Sequence, residues 1–313
     1  MAVFDRSGHP NDPASNAFVD PSKSTPTLFH YTNPIGLMGI IKNRKLWATG
    51  ANFLNDPTEV SFAAKALAVS LQATLHLGGA NRDRAQDTLD LLERVYVDQN
   101  SPNQYREDRS FITSFSRSDE ILTLWRLYSG RNGFCVGFDE GRLLKWVNIP
   151  TFPPGDEQPQ SVDEKEEREA LVANYQLSGR IQDVAYGEEE VALIFDEVMA
   201  APYSAGQLHF IRESLHKLSA IKHRAFEDER EARLVVEEVH HHAADPRVRV
   251  LASGALATYR EVVFPFEAVQ TITLAPGTNA PRQIRALESL MAQGGRGPYG
   301  HVEIRVSDLP FAW

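Results

Sequence analysis

Two carboxylates separated by one residue are the first candidates for chemistry in this sequence. Glu229 and Glu231 precede Arg233 in the segment 222–234. On an extended strand these three side chains lie on one face, because side chains alternate with a period of two. The apolar run 234–236 predicts a strand that enters the core, where an unpaired charge is costly. Two interpretations stay open: a solvated row of salt bridges, or carboxylates that act in catalysis.

A histidine in an early apolar strand is the second candidate. His30 lies in the run 28–31, shortly before a helix start predicted at Asn33. The first N–H groups of a helix can bind an anion, and an imidazole can donate to a ribose hydroxyl. His30, Tyr31 and Thr32 are therefore candidates for ligand contacts. The alternative is a His–Tyr pair hydrogen-bonded within the core, with Thr32 assisting the helix cap.

Trp47 lies on a second predicted strand, where its ring is either part of the core or a flat wall for a stacked ligand ring. Asp56 and Glu59 follow in the pattern Asp-Pro-Thr-Glu, which is typical of a capped helix start. Helix capping explains both carboxylates, so it is preferred over carboxylate chemistry at these positions.

The segment 111–128 combines a serine-bearing strand with an aromatic helix. Ser114 and Ser116 share one face of the predicted strand. The helix that follows carries three further candidates, Trp125, Arg126 and Tyr128. Arg126 can hold a pyrophosphate through two parallel hydrogen bonds, or it can pair with a carboxylate as part of the scaffold. The residues alone leave these two roles open.

Composition excludes several classes of protein. The net charge of −10 argues against broad electrostatic affinity for nucleic acid, although a nucleic acid held as a substrate stays open. The single cysteine, Cys135, excludes an internal disulfide and a cysteine zinc cluster. The run His240–His242 has no carboxylate or cysteine at ligand spacing beside it, so a solvated strand end is preferred over a metal site. With no apolar run of about 20 residues and no secretory signal, we expect a cytoplasmic protein without a membrane partner.

Hydrophobic periodicity and capping signals predict strands mixed with helices. The predicted strands cover residues 28–31, 45–49, 111–116, 133–138, 229–236, 261–264, 270–274 and 301–306. The predicted helices cover residues 34–43, 58–76, 81–97, 118–130 and 281–292, with two more in 188–223 broken near Pro202. Because no regular alternation of strand and helix appears, we predict an α+β fold with a mixed or antiparallel central sheet and added helices.

The domain organisation follows from composition along the chain. Residues 1–26 are rich in Pro, Ser, Asn and Asp, which predicts a disordered tail. Residues 27–313 are predicted to form a single enlarged domain. Within it we expect a flexible acidic insertion at about 151–169 and a helical subdomain at about 188–223.

Three stretches resemble an uncharacterised bacterial family known as domain of unknown function 2971. They read LFHYTNPIGLMGIIKNRKLWATGANFLNDPTE, FITSFSRSDEILTLWRLYSGRNGFCVGF and IKHRAFEDEREARLV, and they cover residues 28–235 discontinuously. The opening His-Tyr-Thr strand, helix and second strand also resemble the start of ADP-ribosyltransferase domains, including DNA-targeting toxins and RNA 2′-phosphotransferases. This second resemblance implies an ADP-ribosyltransferase-like fold with NAD as the substrate and no metal.

The resemblance also implies a role for each candidate residue. His30 would contact NAD, and Glu229 or Glu231 would contact the nicotinamide ribose. Trp47 or Tyr128 would pack on the nicotinamide, although neither lies in a clear tyrosine motif. The serines of 114–116 resemble a strand that supports the pocket. The implied catalytic set is Glu229 and Glu231, and the implied NAD-binding set is His30, Tyr31, Thr32, Trp47, Ser114, Trp125, Arg126 and Tyr128.

The implied activity is transfer of ADP-ribose to a protein or nucleic acid, or hydrolysis of NAD. By family analogy this suits a toxin or phage-defence role, with an antitoxin or regulatory partner. It requires His30 and a carboxylate near residue 230 to face one cleft. Two alternatives remain: a metal-dependent nuclease that uses Asp56, Glu59, Glu229 and Glu231, and a non-catalytic nucleotide-binding or interaction module.

Overall fold

The computed structural model describes ten parts of the chain. They are residues 26–54, 57–93, 110–148, 177–201, 211, 214–215, 217–238, 246–251, 253–292 and 301–310. The tail predicted for 1–26 therefore lies outside the described residues apart from Pro26, and so does the acidic insertion predicted for 151–169. Asp56 and His240–His242 also lie outside them, as does the side chain of Glu59.

The described strands and helices are numbered in chain order. The strands are β1 Thr27–Thr32, β2 Lys45–Gly50, β3 Ser110–Ser116, β4 Phe134–Asp139, β5 Leu177–Asp183, β6 Ala185–Tyr186, β7 Ile221–Lys222, β8 Glu231–Glu238, β9 Arg247–Val250, β10 Leu256–Val263, β11 Val269–Leu274 and β12 Glu303–Val306. The helices are α1 Pro34–Asn43, α2 Pro57–Leu77, α3 Arg82–Leu92, α4 Leu122–Leu124 with its π-helical continuation Trp125–Ser129, α5 Glu140–Val147, α6 Glu188–Ala200 and α7 Ala280–Ala292.

The central sheet is mixed and mostly antiparallel. Its strand order is β12-β11-β4-β1-β3-β2-β10-β9, and β8 pairs with β3 and with β5. Only β11 and β12 are parallel among the described pairs of this sheet, while β6 and β7 form a separate parallel ladder. The predicted α+β class with a mixed or antiparallel sheet is confirmed. None of the described helices is long and apolar enough to cross a membrane.

The sheet opens along one edge of β3. Strand β8 pairs with β3 from Ser110 to Ser116 and so occupies one edge completely. The other edge is shared: β1 pairs with it at Ser116, and β2 pairs with it at Ile112 and Phe111. Between these contacts β1 and β2 separate, leaving β3 without a strand partner on that edge at residues 113–115. We call this place the sheet opening.

The two faces of the sheet differ in character. On the core face, alternating strand residues pack against helices α1, α5 and α7 in the largest apolar cluster. On the second face, α4 covers β1 and β4 through a smaller cluster around Trp125. The remaining half of the second face, over β8, β3, β2, β10 and β9, carries polar side chains. Helices α2, α3 and α6 form their own apolar cluster, which includes Ile221 of β7.

Local sequence signals explain how the chain enters the first helix. The Asn33 side chain accepts a hydrogen bond of 2.8 Å from the Gly36 N–H, and Pro34 stands where a missing N–H costs nothing. A side chain at Gly36 would begin 2.1 Å from the Thr32 hydroxyl oxygen, so any larger residue there would force the Thr32 side chain to move. The predicted start of α1 at Asn33 is confirmed.

The C-terminal part of the predicted helical subdomain differs from expectation. Residues 217–220 form a 3-10 turn, and Ile221–Lys222 is a strand rather than the end of a helix. The predicted helix break at Pro202 lies outside the described residues, although α6 ends nearby at Ala200. The apolar partners of α6 are α2 and α3, so the helical unit combines two distant segments of the chain. Sequence periodicity does not show this, because it reports which face is apolar and not what covers that face.

Candidate functional site

Four buried charges meet where β7 approaches the start of β8. The Lys222 Nζ lies 3.0 Å from Glu229 Oε2 and 2.7 Å from Glu231 Oε2. Arg233 donates two hydrogen bonds to Glu231, from Nε to Oε1 over 2.8 Å and from Nη2 to Oε2 over 3.1 Å. Glu229 is 7% exposed and Glu231 is 6% exposed. The interpretation of these residues as a solvated row of salt bridges is therefore wrong.

Glu229 reaches this cluster by a route that the sequence did not predict. It ends the 3-10 helix Arg224–Glu229 and is not part of β8, so it does not share a strand face with Glu231. Arg230 stands between the two carboxylates in the left-handed region, with φ of 45°. Arg230 ends the 3-10 helix, and both carboxylates contact the same Lys222 ammonium. The predicted one-face arrangement of 229, 231 and 233 is corrected to 231 and 233.

Main-chain hydrogen bonds hold both carboxylate-bearing residues. The Ser116 hydroxyl donates to the Glu229 carbonyl over 2.8 Å. The Glu231 N–H donates to the Tyr186 hydroxyl oxygen over 2.8 Å. Because Ser116 lies on β3 and Tyr186 on β6, the cluster joins the sheet to the small β6–β7 ladder. The site is thus braced by three different elements.

The electrostatics of the cluster keep Glu231 ionised. Burial opposes ionisation, but attraction to Arg233 and to Lys222 outweighs it and lowers the pKa of Glu231 below its ordinary value. An ionised carboxylate cannot donate a proton, although it can stabilise a developing positive charge. A Lys222 ammonium already bridges the two carboxylates, where a metal ion would need to sit. Among the described residues, no group of three or more His, Cys, Asp or Glu side chains is arranged to hold a metal.

His30 lies at the sheet opening and is tied to β3. Its Nδ1 is 3.0 Å from the Ser114 carbonyl oxygen, which can only accept, so Nδ1 carries the proton. Burial lowers the pKa of His30, the Ser114 hydrogen bond opposes that shift, and the positive charge of Arg249 adds to it. A neutral ring with Nδ1 protonated leaves Nε2 as an acceptor. The predicted donation from His30 to a ribose is therefore corrected to acceptance from a ribose hydroxyl.

The strand register separates His30 from Glu231. Phe29 pairs with Ser116, and Ser116 pairs with Glu231, so these three side chains share the second face. His30 is one residue further along β1 and starts on the core face, where its ring meets Phe115 edge-on at 5.7 Å. The expectation that His30 and Glu231 project into one cleft from the same face is wrong. They are neighbours of β3 on its two opposite edges.

Three other predicted NAD contacts have structural roles. Tyr31 is buried; its hydroxyl donates to the Ser118 carbonyl and accepts from the Ile121 N–H, both over 3.0 Å. Trp125 is buried against the Tyr31 ring at 5.1 Å and donates to the Asp119 carbonyl. Thr32 is buried beside Gly36. Because these groups are covered and hydrogen-bonded or closely packed, they shape the site without offering a ligand surface.

The remaining predicted contacts are accessible. Ser114 is exposed on β3, opposite Arg233 on β8. Trp47 keeps 49% of its surface exposed on the second face of β2. Arg126 and Tyr128 are exposed on α4. Of the accessible residues, Ser114 on β3 and Trp47 on β2 lie on the polar half of the second face.

Two residues of the site were missed in the sequence. Lys222 was assigned to a helix end, although its position before an acidic stretch is a signal for ion pairing. Arg249 belongs to the alternating run Arg-Val-Arg-Val of β9, a strand pattern with charges on one face. Its Nη2 donates to the Thr49 hydroxyl over 2.6 Å, and its guanidinium lies 5.4 Å from the centre of the Trp47 ring. The sequence signal for Arg249 is this alternation of arginine and valine, which indicates a short strand with both arginines on one face.

Comparison with known proteins supports one resemblance. Residues 124–234 match the model of a family described as Protein of unknown function (DUF2971). The matched region includes Lys222, Glu229 and Glu231 but ends before Arg249 and begins after His30. No curated protein and no solved structure matches the chain. The family match supports the predicted DUF2971 resemblance, and its description assigns no activity.

Proposed function

We propose that this protein is an NAD-consuming, ADP-ribosyltransferase-like enzyme that acts at the sheet opening and on the polar half of the second face. The observation that carries the proposal is the buried, ionised Glu231 at the start of β8; a neutral His30 lies at the sheet opening but does not share a face with Glu231. These are the two kinds of group that the resemblance to ADP-ribosyltransferases implies. Strand β3 alone separates them.

We propose that the ligand binds at the sheet opening. Between residues 113 and 115, β3 lacks a strand partner on one edge, and His30 contacts its main chain there. A dinucleotide that lies on the second face across β3 would reach Glu231 with one end and the opening with the other. Because His30 starts on the core face, one end of the ligand enters the sheet opening, where Nε2 of His30 accepts a hydrogen bond from a ribose hydroxyl and the exposed Ser114 borders the path.

The chemistry needs an ionised carboxylate more than a proton donor. When the bond between ribose C1′ and the nicotinamide nitrogen breaks, its electron pair leaves with nicotinamide and positive charge develops on the ribose, as in glycoside cleavage. Glu231 stabilises that charge and accepts a hydrogen bond from a ribose hydroxyl. A carboxylate offers about four lone-pair sites. Three donors from Arg233 and Lys222 occupy Glu231, so one acceptor site remains.

The second carboxylate has the role of orienting the acceptor. Glu229 contacts Lys222 through one oxygen only, Oε2. Its other oxygen can accept a hydrogen bond from the attacking hydroxyl, amine or water and takes up the proton of that group as the new bond to C1′ forms. The acceptor is a macromolecule, protein or nucleic acid, or water in simple hydrolysis. The resemblance suggests a toxin or defence role and does not identify the acceptor.

A second candidate function is nucleotide binding without turnover. The observation that favours it is the burial of both carboxylates in ion pairs with Lys222 and Arg233. If those pairs persist when the ligand is bound, no carboxylate reaches the ribose. A metal-dependent nuclease is less favoured, because the Lys222 ammonium compensates the charge that would attract a divalent cation.

Incubation of the purified protein with NAD, with and without cell extract, tests the proposal. We expect release of nicotinamide, an unchanged rate with a metal chelator, and label transfer from NAD to a macromolecule in the extract. The variants Glu231→Gln and His30→Asn should lose about a hundredfold in rate, whereas Glu237→Gln, on the same strand but half-buried and paired with Arg180, should not. Binding of NAD with no nicotinamide released would favour the second candidate. Cleavage of nucleic acid that stops when a chelator is added would favour the nuclease.

A further inference from the structure

Arg249 is a partly buried cation without an acidic partner among the described residues. The two neighbouring cations on this face, Lys45 and Arg247, both pair with Glu261, over 2.8 and 2.9 Å. No described carboxylate pairs with Arg249. Within the described part of the chain its Nε is shielded from solvent and has no hydrogen-bond partner. Burial lowers the pKa of Arg249, which reflects the same incomplete compensation.

The position of Arg249 is fixed by its neighbours. It faces Ala257 across the β9–β10 ladder, and the small alanine lets the long side chain cross β10. The guanidinium then donates to Thr49 on β2 and lies over the ring of Trp47. Trp47 in turn packs against Tyr259 at 4.8 Å. Because no described carboxylate pairs with this guanidinium, it can still bind an anion.

We propose that Trp47 and Arg249 form a binding subsite for a nucleoside phosphate, with the base against the indole and the phosphate on the guanidinium. A half-exposed indole is a stacking surface for any base, and a guanidinium matches the fork of phosphate oxygens. The phosphate supplies the negative charge that Arg249 lacks among the described residues. This inference rests on the proposed function in one respect: that function makes NAD a source of the nucleotide.

Two sources share this chemistry: a dinucleotide such as NAD, and a single-stranded nucleic acid that serves as the acceptor. Calorimetric titration of the full chain with ADP, with adenosine and with a ten-nucleotide single-stranded RNA separates them. We expect ADP to bind more tightly than adenosine if the dinucleotide is the source. Binding of the RNA with weak binding of ADP would assign the subsite to the acceptor.

Matched variants test the residues. Arg249→Ala should weaken binding of the better probe about tenfold or more, the cost of one charge-assisted hydrogen bond. Trp47→Ala should weaken it by a similar factor, and Trp47→Phe should weaken it less. Arg247→Ala is the control, because Arg247 lies on the same strand and face but pairs with Glu261. Circular dichroism confirms that each variant is folded.

The inference is overturned if Arg249→Ala and Trp47→Ala bind as the parent does, if Arg247→Ala weakens binding equally, or if neither ADP nor the RNA binds the parent. Nicotinamide release from the same variants separates this outcome from failure of the proposed function. If binding of the probe depends on Arg249 but the protein releases no nicotinamide, the subsite is supported and the proposed enzymatic activity is contradicted. If Arg249→Ala and Trp47→Ala release nicotinamide with the same KM for NAD as the parent, the subsite does not bind NAD.

Discussion

The ammonium of Lys222 lies 2.7 Å from the Glu231 carboxylate, and the two side chains are each 5% exposed. The same ammonium contacts Glu229, so one cation compensates two buried carboxylates. Lys222 belongs to the β6–β7 ladder, whereas Glu231 begins a strand of the central sheet. This contact therefore connects two sheets and, together with Arg233, lowers the pKa of Glu231.

Removal of the Lys222 charge should destabilise the fold strongly. In Lys222→Met the two carboxylates lose their shared partner inside the protein, and we expect a loss of about 3–5 kcal/mol in the free energy of unfolding. Urea unfolding at neutral pH measures this. Lys217→Met is the control, because the Lys217–Glu197 pair is largely exposed and is worth less than about 1 kcal/mol. Equal effects of the two substitutions would contradict the account of the cluster.

Glu231 should contribute to stability above its ordinary pKa of 4.5 and lose that contribution in acid. Its pKa in the folded protein is lowered, so the unfolded chain takes up a proton first as the pH falls. The stability difference between the parent and Glu231→Gln should be full at pH 7 and shrink as the pH falls through and below 4.5. Urea unfolding across this range measures it. With the half-buried Glu237→Gln we expect a small difference throughout, and a constant difference for Glu231→Gln would refute the lowered pKa.

His30 should remain neutral in the folded protein at pH values where a free histidine is half protonated. Its lowered pKa means that the unfolded chain binds a proton first as the pH falls through 6.5, so the protein loses stability on that side. NMR titration of the imidazole should give a pKa below 6.5. His30→Asn, which keeps a donor for the Ser114 carbonyl, should flatten the pH dependence of stability near 6.5. The same substitution at exposed His76 should leave it unchanged, and an NMR pKa above 6.5 would be inconsistent with this assignment.

Arg230 should tolerate glycine better than any β-branched residue. Its left-handed backbone strains a residue with a side chain by about 1–2 kcal/mol, and glycine removes that strain at a cost in chain entropy of similar size. We expect Arg230→Gly to unfold at the same temperature as the parent or a few degrees higher, and Arg230→Val to unfold lower. Scanning calorimetry compares the three proteins. A large loss with glycine would mean that the Arg230 side chain, not its backbone, organises the carboxylates.

The first half of the sheet could be predicted from sequence because its signals are local. Strands β1 to β4 follow apolar alternation, and α1 follows from the Asn33 cap, so their predicted bounds agree with the structure to within about two residues. The class of fold follows from the order of these elements. The sheet opening does not, because pairing between β3 and three other strands depends on contacts far apart in the chain.

The candidate site was predicted in part, and its geometry was not. The residue types at 30, 229 and 231 point to the site, but alternation predicts a strand through Arg230, where the 3-10 helix Arg224–Glu229 ends in a left-handed residue instead. That helix end depends on a left-handed residue that is not glycine, for which the sequence carries no signal. Arg249 was missed for a different reason: its importance comes from Trp47 and Thr49, about two hundred residues away.

The position of a bound, non-hydrolysable NAD analogue tests the account most directly. A crystal structure of the complex should place a nicotinamide ribose hydroxyl within about 3.2 Å of a carboxylate oxygen of Glu231 or Glu229. It should also show a ligand contact to Nε2 of His30. An analogue bound elsewhere, with both carboxylates still sealed by Lys222 and Arg233, would contradict the proposed enzyme.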